Sequence, residues 1–205
     1  MDNSINISRH APTASTIVSN FMQSLKGNFL IATSRMPDPR FQEQVIYMCA
    51  HDANGAMGLV VNKPMAEINM MDILRGANLP CPTGLTLPQV YLGGPVEPAA
   101  GFFLHTADYL PKEYLQVSDT VIMSRNPDIL NDIADGLGPA QYIFALGYAG
   151  WAPEQLEHEL SDNGWLTVPG SDKILFATPD QNKWREAAMI YGIDISLYGD
   201  LSGSA

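Results

Sequence analysis

A chain of 205 residues with 46% hydrophobic and 16% charged side chains can bury about 70% of the surface its unfolded form exposes, enough for a real core. No apolar run approaches the roughly 20 residues that cross a bilayer as a helix, and 22 acidic against 11 basic side chains, a formal charge of −11, repel phosphate backbones and disfavour direct nucleic-acid binding. The two cysteines, Cys49 and Cys81, form no CxxC pair, which excludes a structural zinc framework and points to a reducing cytoplasm.

Residues 1–20 are rich in Ser, Thr and Asn, with no continuous apolar stretch of the secretory type, and read as a flexible tail. Residues 21–205 read as a single domain. Its opening stretch, Gly27 to Pro64, holds three apolar runs rich in β-branched and aromatic residues: Phe29–Ala32, Val45–Ala50 and Met57–Val61. Each is bounded by Pro, Gly, Asp or Asn, so each predicts a buried strand. Asp52-Ala53-Asn54-Gly55 predicts a hairpin between the second and third, because Asn and Gly adopt positive φ cheaply. Met36-Pro37-Asp38-Pro39 predicts a rigid loop, and Asn62-Lys63-Pro64 an end to the pairing.

Asn69 is a good N-cap for a short helix over Met70–Ala77. Strands follow over Gln89–Leu92 and Gly101–Thr106, then a pair over Tyr114–Val117 and Thr120–Ser124. Asn126-Pro127 predicts a helix start with Pro at its first position, stopped by Gly136. Gln141–Leu146 predicts a buried strand running into Gly147-Tyr148-Ala149-Gly150-Trp151. A helix from Pro153 ends at Asn163-Gly164 as a left-handed cap, and Trp165–Val168 is again extended. Thr178-Pro179-Asp180-Gln181 predicts a capping box opening a last helix through Tyr191, with a short strand from Ile193. Strands outnumber helices and no βαβ period appears, so the expected class is α+β with a mixed sheet.

Few groupings suggest chemistry. Neither GxxxxGK[ST] nor GxSxG is present. His158 and Asp162 share a helix face, but without a second histidine they read as an exposed polar face and no metal site is expected. Cys49 and His51 fall on one strand face by i,i+2 spacing, which would bring thiol and imidazole together; packing is the alternative. No cofactor is expected.

Several motifs, taken in order, resemble the AlgH/YqgE family of small bacterial proteins. They are Gly27-Asn28-Phe29-Leu30-Ile31-Ala32, Asp38-Pro39-Arg40-Phe41, Val45-Ile46-Tyr47 leading to His51, Gly55 to Pro64, Gly93-Gly94-Pro95-Val96, Phe103-Leu104-His105, and Gly147 to Trp151 followed by Gln155-Leu156-Glu157. The resemblance, from about Gly27 to Leu197, implies a bifurcated mixed sheet curled into a pseudo-barrel with flanking helices. It implies little chemistry: the family is described as transcriptional regulators through one branch tied to exopolysaccharide control, and no catalytic residues are established for it. Two positions depart from its pattern. Glu154 stands where glycine is frequent, and Gly203-Ser204-Ala205 replaces a frequent Gly-His-Ala.

Two functional readings follow. The first is a cytoplasmic, monomeric, non-enzymatic protein of regulation or interaction, working through a protein partner. Its contact residues would be Asn62, Lys63, Gly93, Gly94, Pro95, His105, Gly150 and Trp151, where permissive glycines lie beside an aromatic and a cation; alternatively Gly93-Gly94-Pro95 only turns the chain and Trp151 only plugs the barrel mouth. The second is a small-ligand binder or enzyme with His51 or His105 as acid/base. One pocket lined jointly by Asn62, Lys63, Gly94, His105 and Trp151 would carry a site.

Overall fold

The structure is a computed structural model and describes residues 24–82, 84 and 87–197. Both the tail expected over residues 1–20 and the end of the chain beyond 197 lie outside them. Ten strands alternate with four α-helices: β1 (Asn28–Ala32), β2 (Val45–Asp52), β3 (Gly55–Val60), β4 (Pro64–Asn69), α1 (Met70–Gly76), β5 (Gln89–Leu92), β6 (Val96–Thr106), β7 (Leu115–Gln116), β8 (Val121–Ser124), α2 (Asp128–Ala134), β9 (Tyr142–Trp151), α3 (Gln155–Ser161), β10 (Trp165–Pro169) and α4 (Asp180–Met189). A single π turn, Lys173–Ala177, precedes α4.

The strands form one mixed sheet in the order β10-β1-β2-β3-β9-β6-β8-β7. Bifurcation occurs along β9. One edge pairs with β6; the other pairs first with β5, in parallel through Val90–Phe144 to Leu92–Leu146, and then with β3 through Gly58–Ala149 to Ala56–Trp151. Beyond β5 lies β4. The sheet curls into a half-barrel whose two ends meet through loops and side chains: Gly27 lies against the Val117 carbonyl, and the Thr120 hydroxyl donates to Asp172 Oδ1 at 3.0 Å. Phe29, Tyr47, Leu59, Phe102, Leu104 and Val168 fill the concave side, where Ile174 and Leu175 of the π turn and Ala187 and Ala188 of α4 pack on them. On the convex side, α3 covers Leu30, Ile46 and Val60 through Leu156, while α1 and α2 cover Val90, Phe103 and Phe144.

Local chemistry explains most element ends. Asn69 and Asp72 form a full capping box on α1. Asn126 Oδ1 accepts from the Asp128 amide at 2.9 Å, and α2 begins at Asp128, one residue later than the sequence suggests, with Pro127 at the cap position. Asn163 takes φ 58 and the Gly164 amide closes onto the Glu159 carbonyl at 3.0 Å, the left-handed stop expected for α3.

Other expectations fail for identifiable reasons. The pairing of β3 stops at Val60, just before Asn62-Lys63-Pro64 as expected, but Pro64 then opens β4, as a proline can at the first residue of a strand. The capping box at Thr178 does not form, because its hydroxyl donates to the Lys173 carbonyl at 3.2 Å across the π turn. Residues 193–197 turn, with the Leu197 amide on the Asp194 carbonyl at 3.1 Å, in place of a strand. Finally, a register shift between Met48 and Ala50 breaks the i,i+2 rule in β2. Cys49 therefore packs in the concave core, whereas His51 reaches Glu157 on the convex helix α3.

Candidate functional site

The two histidines proposed as acid/base groups hold structural posts. His51 Nδ1 accepts from the Leu25 amide at 3.0 Å, so its proton sits on Nε2 and is donated to Glu157 Oε1 at 2.9 Å. The ring fastens the entry to β1 and the helix α3 to the end of β2. His105 is fully buried; its Nδ1 donates to the Thr106 carbonyl at 2.9 Å, and Tyr109 packs edge-on against it at 5.7 Å. Burial lowers its pKa, the Thr106 carbonyl and Asp108 opposing, so it is held neutral. Its Nε2 and the hydroxyl of Tyr142, the residue opposite it on β9, are buried without a partner among the described residues. Neither imidazole lines any hollow described below. Burial also pushes the Cys49 thiol up to about 12, far from a thiolate nucleophile at neutral pH.

Gly93 and Gly94 build the fork of the sheet. The Gly93 amide donates to the Leu146 carbonyl at 2.8 Å and its carbonyl accepts from the Val60 amide at 2.9 Å, bridging β9 and β3 where β5 leaves. A Cβ on Gly94 would stand 2.1 Å from the Tyr148 carbonyl carbon. Both glycines are therefore committed to backbone packing, as is Asn62, whose side chain accepts from the Val45 amide and donates to the Glu43 carbonyl, each at 2.9 Å.

Pro95, Gly150 and Trp151 do converge. They wall a cleft of about 450 Å³ between the Arg35–Phe41 loop and α3, together with Met36, Phe41 and Glu159. Its floor is preorganised: Glu159 Oε2 accepts from the indole N–H groups of Trp151 at 2.9 Å and Trp165 at 2.8 Å, and Oε1 from Gln155 at 2.9 Å. Trp151 thus lies beneath α3 on the convex face and does not plug the barrel mouth. At the rim, Arg40 grips Asp38 in a bidentate pair, and the guanidinium holds the Asp38 carboxyl below its ordinary pKa.

Two further hollows adjoin the cleft. Gly150 and Trp151 also line the barrel mouth, about 570 Å³, whose apolar floor is Met57, Phe102, Met123 and Tyr148. Arg40 also lines a polar hollow of about 500 Å³ with Asn62, Lys63, Asp180 and Arg185. Lys63 and Trp151 consequently occupy different hollows, and none of these three is lined jointly by Asn62, Lys63, Gly94, His105 and Trp151. Beneath the polar hollow lies buried Lys183, which donates to the Val61 carbonyl at 2.7 Å and pairs with Asp180 at 2.9 Å. Asp180 also accepts from the Tyr91 hydroxyl at 3.1 Å. Burial lowers the pKa of Lys183, with Asp180 opposing. Sequence reading passes over Glu159 and this buried set; the accessible signal is that buried tryptophan indoles need acceptors.

Among the described residues no group of three His, Cys, Asp or Glu is placed to hold a metal ion, and no helix is long and apolar enough to cross a membrane.

A family model described as AlgH-like matches residues 29–196. A UPF0301 protein of Ruegeria pomeroyi is 46% identical over 183 residues, covering 88% of this chain and 99% of its own. The UPF0301 protein YqgE of an Escherichia coli strain is 39% identical over 186 residues, covering 89% and 100%. Among solved structures, the solution structure of the AlgH protein from Pseudomonas aeruginosa aligns with a TM-score of 0.71 at 38% identity over 89% of this chain and 97% of that one. A protein of Corynebacterium diphtheriae, 18% identical with a TM-score of 0.65, shares the fold. By sequence, coverage and half-barrel architecture, the chain belongs to the AlgH-like family.

Proposed function

We propose that this is a recognition protein of the bacterial cytoplasm that regulates through a protein partner, and that the cleft beside Trp151 receives that partner. One observation carries the reading. Three motifs far apart in the chain, Asp38-Pro39-Arg40-Phe41, Gly93-Gly94-Pro95 and Gly150-Trp151 with Gln155, meet at one concave surface. Concave apolar walls with a few fixed polar groups are what ligand sites present, and Glu159 holds the Trp151 ring as a rigid wall. A partner in place of a reaction is favoured because the two histidine rings tie elements together and the Cys49 thiol is kept protonated. A protein is favoured over DNA because the overall charge of −11 opposes a polyanion.

Placing a photoreactive phenylalanine analogue at Pro37, on the cleft rim, and at exposed Leu137, away from it, tests this in living cells. Discrete cross-linked species are expected from position 37 alone, and should disappear when Pro95→Arg fills the cleft from its opposite wall. Equal labelling from both positions, or labelling indifferent to Pro95→Arg, would overturn the reading.

A further inference from the structure

The ladder between β6 and β9 ends at Val96–Tyr148. Past that pair, Ala149, Gly150 and Trp151 have β3 on one edge and no strand on the other among the described residues. A strand edge of this kind is a template for another chain. This one has a hollow on each face of the sheet: the barrel mouth on the concave side and the cleft on the convex side, both lined by Gly150 and Trp151. Gly150 is exposed and without a side chain to fend off an incoming backbone.

An added strand sends successive side chains to opposite faces. The hollows indicate which side chains they accept. In the mouth, the chain's own Arg125 already lays its guanidinium 4.8 Å from the centre of the Phe102 ring and bonds Glu97 at 3.1 Å. A cation with an apolar stem is therefore what that hollow accommodates. The cleft offers Met36, Phe41, Pro95 and the Trp151 ring to an apolar side chain. Across both hollows five carboxylates (Asp38, Asp52, Glu97, Glu159, Asp162) face three arginines (Arg35, Arg40, Arg125), which favours a basic guest.

We infer that the free edge of β9 at Ala149–Trp151 takes an extended segment of a protein partner by strand addition, with apolar side chains entering the cleft and alternating basic ones entering the barrel mouth. This inference rests on the recognition reading given above and specifies how the partner is held.

The probe is a fluorescein-labelled nine-residue peptide of alternating arginine and leucine, titrated at about 150 mM salt, where the Debye length is about 8 Å. Two peptides of identical charge serve as comparisons: one with its leucines contiguous, one N-methylated on the backbone at its centre. The alternating peptide is expected to bind at least tenfold more tightly than either and to slow amide exchange at Ala149–Trp151. Glu97→Lys, or Asp52→Lys if the first variant does not fold, should weaken it at least fivefold. Equal binding of the contiguous peptide would reduce the effect to charge attraction, and equal binding of the N-methylated one would remove strand addition; either overturns the inference. So would a dimer of the free protein that the peptide dissociates, since a second copy would then own the edge. If cross-linking from position 37 persists while the peptide fails, strand addition falls and the recognition reading stands; if both fail, both fall.

Discussion

Two glycine-containing stretches touch β9, and they do opposite things. At the fork, Gly93 and Gly94 press their backbones onto Gly147 and Tyr148 so closely that a methyl group on Gly94 would overlap the Tyr148 peptide, 2.1 Å from its carbonyl carbon and 2.3 Å from the Ala149 amide nitrogen. Two residues past Tyr148 along β9, Gly150 stands exposed, and the nearest atom to a methyl group there is the edge of the Tyr148 ring at 3.0 Å. The first glycine pair makes a bifurcated sheet possible; the second glycine leaves an edge and two hollows open. Glycine beside an aromatic in a sequence is thus evidence of close backbone approach of some kind, and only the surroundings show whether the approaching backbone is already in the molecule.

The sharpest way to break this contrast is Gly94→Ala. Its φ of +155 places it at the margin of the glycine region, and the methyl clash is with backbone that cannot rotate away. Overpacking and backbone strain each amount to about 1–3 kcal/mol, so together a loss of about 4 kcal/mol is expected in urea denaturation, a large part of the roughly 5–15 kcal/mol that keeps an ordinary domain folded. A Gly94→Ala protein within about 1 kcal/mol of the parent would show that the fork is plastic.

Next in size is Lys183→Ala, which removes the buried cation holding α4 to the end of β3 and leaves Asp180 with the Tyr91 hydroxyl alone. Breaking one side of a buried pair typically costs about 3–5 kcal/mol; the partial exposure of Asp180 puts the expectation near the lower end, about 3 kcal/mol. Lys183→Met should recover part of the loss by refilling the volume.

A smaller effect belongs to His105. It is buried neutral, with a folded pKa below its unfolded value of about 6.5. The unfolded chain therefore binds the proton first as pH falls. Stability is full above pH 6.5 and declines as pH drops from there through the folded pKa, by at most one proton, or about 1.4 kcal/mol per pH unit. His105→Phe keeps the ring packing against Tyr109 and should flatten that part of the pH–stability curve; an unchanged slope would show that other groups cause it.

What the chain disclosed in advance follows from how local each cause is. Apolar runs such as Phe29–Ala32 and Val45–Cys49 announce buried strands because a strand covered on both faces needs nearly every residue apolar. The caps at Asn69 and Asn163 are equally legible, each being an interaction within three or four residues. Phase is not. The irregularity in β2 at Cys49 and the φ of +72 at Gly147 each reverse which side chains face the core, and nothing in the residues themselves marks the reversal. Hence the supposed Cys49–His51 contact is lost, and Tyr148 faces the concave side while Trp151 faces α3. Of the candidate contact residues, Pro95, Gly150 and Trp151 meet because two motifs border one edge. His105 does not join them, since its strand position points it at Tyr109 instead. Glu159 and Arg125 were invisible because a charge on an amphipathic element carries no local sign of the indole or ring it serves.

The smallest expected effects lie next to the open edge. Glu154 adopts φ 64 at the entry to α3, a left-handed conformation that disfavours a side chain by about 1–2 kcal/mol. Glu154→Gly relieves that strain but enlarges the freedom of the unfolded chain, so a net gain of about 0.5–1 kcal/mol is expected. Gly150→Ala should be nearly silent in stability, about 0.5 kcal/mol either way, because the Tyr148 ring edge can yield by a few tenths of an ångström and the residue has an ordinary φ. Its consequence should appear in binding, where the methyl group narrows the approach to the free edge and weakens the alternating peptide without shifting the melting midpoint. A Gly150→Ala protein destabilised as severely as Gly94→Ala would mean that this edge, too, is occupied by the chain's own backbone, and the contrast between fork and edge would be gone.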